Sequence, residues 1–162
     1  MVVTHLKAQQ NSVSEKVRTA QAAQLLEVTQ RAVIDASEEY GITGSDIATL
    51  IMGDFNSEPF DNDDHSCIQT MINGSIDGNL KVKSAYNIDP PDSKFFTTWK
   101  TRGEKTVRRI IDYIFHNHQL RCTHTLAPPS QLEMESHRLP GFRYPSDHIA
   151  IGAKFEIGKS NE

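Results

Sequence analysis

The chain has 162 residues, 37% hydrophobic and 23% charged, the balance of a folded domain that can bury a core of its own. A formal net charge of −4 argues against nucleic-acid affinity through overall charge, and no apolar run reaches the roughly 20 residues of a membrane helix. The two cysteines, Cys67 and Cys122, fit neither a disulfide framework nor a zinc pattern and suit a reducing compartment.

Met1 to Leu6 reads as the end of a β-strand with no cap or leader before it. A domain that opens mid-strand points to a missing N-terminal portion; the alternative is a short edge strand. Ser12-Val13-Ser14-Glu15 has the form of a capping box and predicts a helix start. Val17, Ala20, Leu25, Val28 and Ala32 keep helical spacing, while Lys16, Arg18, Glu27 and Arg31 are free to face water. Gly41 ends the helix. After a connector to Asp46, the nearly continuous apolar run Ile47 to Met52 predicts a strand covered on both faces.

Glu58 to Asp64 holds Pro59 and four acids, a polar surface loop, and a short helix is predicted from His65 to Ile72. Asn73-Gly74 and Asp77-Gly78 signal turns, Leu80 to Tyr86 is either a helix end or a strand, and Pro90-Pro91 forces an extended stretch. Thr97-Thr98-Trp99 favours strand, Arg109 to His116 is a second strong strand, and Leu120 to Leu126 pairs with it across Asn117-His118. Pro128 to Pro145 lacks periodicity and reads as a functional loop; Ile149, Ile151, Ala153 and Phe155 alternate as a closing strand. The whole is a mixed α/β layered sheet protein, one domain over residues 1–157 with a tail at 158–162.

Polar residues gather at the strand ends: Thr4-His5-Leu6-Lys7, Gly53-Asp54-Phe55-Asn56, Ile111-Asp112-Tyr113-Ile114 and Ser146-Asp147-His148. Alone, each has an ordinary explanation, since histidines are often structural and Gly-Asp is often a turn. Asp112 is different, because it interrupts the apolar run Ile110 to Phe115 and needs a partner there. His148 is the natural one: an Asp–His pair fixes the imidazole tautomer and suits acid–base or phosphate chemistry near neutral pH. Asp54 and Asp147 add hard oxygen ligands or a base, and Asn56 an uncharged amide donor. With no candidate serine or cysteine nucleophile, metal-assisted attack of water on a phosphate ester fits this inventory best. The basic run Lys100, Arg102, Lys105, Arg108 and Arg109 is either a solvated strand edge or, beside Trp99, a phosphate- and base-stacking surface. Phe142 and Tyr144 are either packing residues of the long loop or a substrate-side wall.

THLK, GDFN, TTW, IDYIF and SDH, in this order and spacing, resemble the C-terminal half of the endonuclease/exonuclease/phosphatase superfamily. THLKA (Thr4 to Ala8), TTWKTR (Thr97 to Arg102) and RLPGFRYPSDH (Arg138 to His148) are similar to its nocturnin-like branch, next to the CCR4-type deadenylases. The resemblance implies the C-terminal portion of a four-layer α/β/β/α sandwich (DNase I-like), with the active site at the common edge of the sheets. It implies a Mg²⁺-dependent phosphohydrolase in which Asp54 positions water, Asn56 and His5 contact the phosphate, and Asp112 and His148 form the Asp–His pair. Asp147 is then the acid that handles metal or leaving group, and Lys7 and Arg102 hold a nucleotide phosphate. The implied substrate is NADP(H), losing its 2′-phosphate, or the 3′ end of an RNA, shortened as poly(A). The family's metal-binding Glu, and an Asn upstream of it, fall in the N-terminal half not present in this sequence, and Gln9 stands where a basic residue is expected. A reading of another class is a truncated, non-catalytic fragment that binds a nucleotide or a protein partner. The expected location is cytoplasmic or mitochondrial, with any targeting segment in the missing N-terminus.

Overall fold

A computed structural model describes residues 1–59, 66–75, 78, 80–88, 95–134, 136 and 138–158. In chain order its elements are β1 (Val2–His5), α1 (Ser12–Tyr40), β2 (Leu50–Asp54), α2 (Cys67–Asn73), β3 (Lys83–Ser84), β4 (Thr98–Arg102), β5 (Lys105–Arg109), β6 (Asp112–His116), β7 (Leu120–Thr125) and β8 (Ala153–Ile157), with short 3₁₀ turns at Gly44–Asp46 and Gln131–Glu133. A four-stranded sheet of order β1-β2-β6-β3 is accompanied by the hairpin β4-β5 and the pair β7-β8. β1 and β2 are parallel, and α1 supplies the crossover that parallel neighbours require.

The start of α1 differs from the expected capping box by one residue. Asn11 is the cap, its side-chain oxygen accepting the Ser14 amide at 2.8 Å, so Glu15 falls in the fourth helical position instead of the third. That frees the carboxylate for other partners. The buried face of α1 is Ser14, Arg18, Ala22, Leu26 and Thr29, whereas Val17 and Val28 are exposed. Arg18, expected to face water, has 2% of its side chain exposed. The helix ends as expected at Gly41, in the left-handed conformation with φ 64°.

β2 begins three residues later than its apolar run suggests, because the Asn117 side chain takes the backbone ahead of it. Asn117 Oδ1 accepts the Thr49 amide at 3.1 Å and Nδ2 donates to the Ile47 carbonyl at 2.8 Å. Only Ile51 of β2 is fully buried, so the strand is not evenly covered on both faces. The predicted strand Arg109 to His116 is two strands, parted at Ile110-Ile111: β5 belongs to the hairpin and β6 to the main sheet. β7 pairs with β8 and not with β6, whose two edges are already taken by β2 and β3. The ambiguous Leu80 to Tyr86 segment contains the strand β3, and the closing strand starts at Ala153, four residues late.

One face of the main sheet packs on α1 and α2 around Leu26, Ile51, Phe55, Ile68, Met71, Tyr113 and Phe115. Phe55 meets Tyr113 and Phe115 edge-on, at centroid distances of 5.6 and 5.2 Å. A second cluster joins Phe96, Met134, Leu139 and Ile149 with Trp99 and Tyr144, folding the long aperiodic segment against β4. Tyr144 is therefore a packing residue, while Phe142 is 96% exposed. Among the described residues no helix is long and apolar enough to cross a membrane. The expected Glu58–Asp64 loop, the Asp77 turn position, His65, Pro90-Pro91 and the tail beyond Gly158 lie wholly or partly outside the described residues.

Candidate active site

Strand register assembles the site. His5 pairs with Asp54 across the parallel ladder, and Asp54 pairs with Asp112 across the antiparallel one. Laterally paired residues share a face, so the three side chains stand in a row at one end of the sheet, away from α1. Close approach of β1 depends on Gly53, whose φ is 148°. A Cβ there would stand 1.9 Å from the Thr4 carbonyl oxygen.

His148 comes from outside this sheet. Its loop is bridged to Thr98, and the Ile149 amide donates to the Thr97 carbonyl at 2.9 Å. This sets His148 Nδ1 2.8 Å from Asp112 Oδ2 and leaves Nε2 3.9 Å from Asp54 Oδ2. His5 Nε2 approaches the same Asp54 oxygen at 3.5 Å, with 69% of its side chain exposed. One carboxylate oxygen thus lies between two imidazoles. The other, Asp54 Oδ1, accepts the Asn56 amide at 2.8 Å, which fixes the carboxylate plane.

Asp112 is the strained member of the pair. Burial pushes its carboxyl above the ordinary range and the nearby Asp54 adds to this; the Thr97 hydroxyl and His148 pull the other way. Thr97 is fully buried, and its hydroxyl oxygen accepts the amides of Ile111 and Asp112 at 3.0 and 3.2 Å. Sequence reading passed over Thr97 as a site residue; its signal was a threonine directly ahead of a strand, opposite a buried acid.

The remaining expected residues divide. Asn56 takes a left-handed conformation (φ 52°) and donates its side-chain amide to the Leu6 carbonyl at 3.2 Å, bracing the two strand ends. Lys7 follows His5 and is exposed. Asp147, expected among metal ligands, stands apart from the Asp54, Asp112 and His148 group: its carboxylate receives Lys100 Nζ at 2.8 Å, with Arg102 at 3.9 Å. The Lys100 hydrogen bond holds the Asp147 carboxyl below the ordinary range. Lys100, a second residue missed as a site member, was findable from strand alternation, since Thr98, Lys100 and Arg102 share one face of β4. The basic run does not make a free stacking surface on Trp99. Arg138 lies 4.4 Å and Arg108 5.4 Å from that ring's centroid, and Arg109 pairs with Glu58 at 3.4 Å.

The Endonuclease/Exonuclease/phosphatase family model matches residues 12–148. The chain belongs to this family. Nocturnin of Rattus norvegicus is 31% identical over 163 residues, covering 98% of this chain and 34% of the relative. Nocturnin of Homo sapiens is 29% identical, with 100% and 34% covered, and the protein angel of Drosophila melanogaster 28%, with 97% and 41%. The chain therefore spans about a third of the length of the curated nocturnins it matches, 34% for the rat and human proteins. Among solved structures, the human nocturnin catalytic domain with bound sulfate superposes at a TM-score of 0.62 with 26% identity, covering 97% of this chain and 47% of that one. ANGEL2, a 2′,3′-cyclic phosphatase, superposes at 0.67 with 20% identity, covering 96% and 56%, a likeness of fold alone. These are DNase I-like catalytic domains, and within the family the chain sides with the nocturnin-like branch.

Family members are metal-dependent, and the donor set here fits a divalent cation. Ligand atoms of Asp54, Asp112 and His148 all lie within 4.8 Å of one another. Because His148 Nδ1 is bonded to Asp112, the freer anionic donor is Asp54 Oδ2. One or two carboxylates completed by water and phosphate is the usual surrounding of a hard cation such as Mg²⁺.

Proposed function

We propose that this chain carries the Asp–His half of a Mg²⁺-dependent phosphohydrolase of nucleotides, with the 2′-phosphate of NADP(H) as the substrate group. The observation that carries the reading is the row His5, Asp54, Asp112, closed by His148 at 2.8 Å from Asp112. Asp112 accepts the Nδ1 proton of His148 and so fixes the tautomer, leaving Nε2 directed at the reaction space beside Asp54. Asp54 orients the attacking water, or takes its proton, as the phosphorus–oxygen bond to the leaving group lengthens in line. His5 donates to the phosphate oxygens as charge builds on them, and His148 does so from Nε2 when that nitrogen also carries a proton. Asp54, with Asp112 behind it, would hold Mg²⁺, which when bound neutralises phosphate charge and lowers the barrier to water attack. Lys7 and Arg102 supply cationic contacts to the nucleotide.

Asp54→Ala and His148→Ala in the intact protein should each lower phosphate release by about 10²–10³-fold or more while the far-UV spectrum stays native. Turnover close to wild type in either variant would remove the assignment. A second substrate reading, shortening of an RNA 3′ end, is favoured by one specific observation. A probable CCR4-Not complex 3′-5′-exoribonuclease subunit is 30% identical over 92 residues, 56% of this chain. Gln9, in place of a basic residue, also leaves one fewer cation for a 2′-phosphate. Parallel assays of 2′-phosphate release from NADP⁺ and of oligoadenylate shortening decide between the two.

A further inference from the structure

Helix α1 reaches the edge of the site through two charged side chains that the chemistry above does not use. Arg18 donates from Nη1 to the carbonyls of Lys7 and Gln9, at 2.9 and 2.7 Å. Its Nε and Nη2 lie 2.8 and 2.6 Å from one carboxylate oxygen of Glu15. The other Glu15 oxygen accepts the Ser57 hydroxyl at 2.8 Å and the Cys67 amide at 2.9 Å. One turn further along, Gln21 Oε1 accepts the Lys7 amide at 3.0 Å. The main chain of Lys7 is thus gripped at both its N–H and its C=O from α1. The far end of the same ion pair grips the segment that follows Asp54 and Asn56.

A buried ion pair of this kind is often no more stabilising than apolar side chains of equal volume, because desolvation offsets the attraction. What it supplies is direction. A guanidinium presents its donors in a rigid fork, and here the fork spans one loop while its carboxylate partner spans another. Cross-bonds between the loops complete the bracket: Asn56 Nδ2 to the Leu6 carbonyl at 3.2 Å, and Gln10 Nε2 to the Asn56 carbonyl at 2.9 Å.

We infer that Glu15, Arg18 and Gln21 are positioning residues that together set the spacing between the Lys7 ammonium and the Asp54 carboxylate, and so govern how tightly a substrate phosphate is held. The inference rests on the phosphohydrolase reading for the role of Lys7. The test uses Arg18→Lys and Gln21→Ala in the intact protein, with NADP⁺ or oligoadenylate as donor, whichever the wild type hydrolyses. A lysine cannot span both carbonyls and the carboxylate. Gln21→Ala leaves the buried pair in place and decides the matter if Arg18→Lys does not fold. Each variant should raise KM about tenfold with kcat within about twofold, the split expected when an interaction common to ground and transition state is weakened. Amide exchange at Lys7 should quicken in both. An unchanged KM despite faster exchange at Lys7, or a fall in kcat at constant KM, overturns the inference. If the wild type hydrolyses neither donor, the function reading fails, and exchange alone judges the bracket. Protection at Lys7 that Gln21→Ala abolishes supports it; an unprotected Lys7 amide in the wild type overturns it.

Discussion

At Asp112 a carboxylate stands with 15% of its side chain exposed, at the head of a strand whose next four residues are all buried. Two donors answer for it, the Thr97 hydroxyl and His148, yet burial prevails and holds its carboxyl above the ordinary range. A group raised in this way favours the folded state fully only below its unfolded value, and that contribution is lost as pH rises through the folded value. Above that folded value the charged Asp112 weighs against folding, which is the expected signature of a residue kept for chemistry. Asp112→Asn should leave the thermal midpoint unchanged or higher, and lower turnover by about 10²–10⁴-fold through loss of the His148 tautomer. Melting and phosphate-release assays on the same preparation check both halves. A variant that loses stability and activity together would make Asp112 a structural residue.

Among the elements, the pairing of β1 with β2 decides whether His5 meets Asp54, and that pairing rests on Gly53. Gly53→Ala places a methyl group on the Thr4 carbonyl, so a loss of about 3 kcal/mol and a separated β1 are expected. Gly103→Ala, at φ 60° with nothing within 4 Å, should cost only about 1 kcal/mol. Urea midpoints for the two variants, with turnover beside them, separate backbone strain from the clash at Thr4. GDFN was visible in the sequence as a strand end carrying an acid and an amide, and the Asp112–His148 pair followed from the cost of a lone buried carboxylate. Less was visible where distant segments take over local preferences. The predicted strand from Arg109 to His116 gives no sign that it divides between two sheets, because the break is made by Thr97, whose hydroxyl takes the Ile111 and Asp112 amides. Asn117-His118 reads as a hairpin turn, but β3 already holds the edge of β6 that such a hairpin needs. Asp147 was legible as an acid beside His148; its contact with Lys100 depends on how a loop lies along β4, which local sequence does not encode.

At the scale of the molecule, the main sheet and the β7-β8 pair meet where the His116 ring packs against Phe155, 5.0 Å between centroids. His116 is 1% exposed, its Nδ1 lies 3.0 Å from the Asn117 carbonyl, and burial together with Lys83 pushes its pKa below the ordinary 6.5. The proton it refuses when folded is one the unfolded chain accepts. Its contribution to stability is therefore present in full above pH 6.5 and falls away as pH drops from there toward the folded value. Inside that window each pH unit costs up to about 1.4 kcal/mol for one proton. The lowered carboxyl of Asp147 acts in the same direction but in a separate window, beginning only below about pH 4. Between pH 7.5 and 5 the seam between the two sheets should thus be a principal site of acid sensitivity. His116→Phe keeps the ring contact with Phe155, and the Asn117 carbonyl retains the Leu120 amide at 3.2 Å as a donor. Urea midpoints measured across that range should fall with acid in the wild type and stay flatter in His116→Phe. Parallel curves for the two proteins would place the acid sensitivity elsewhere.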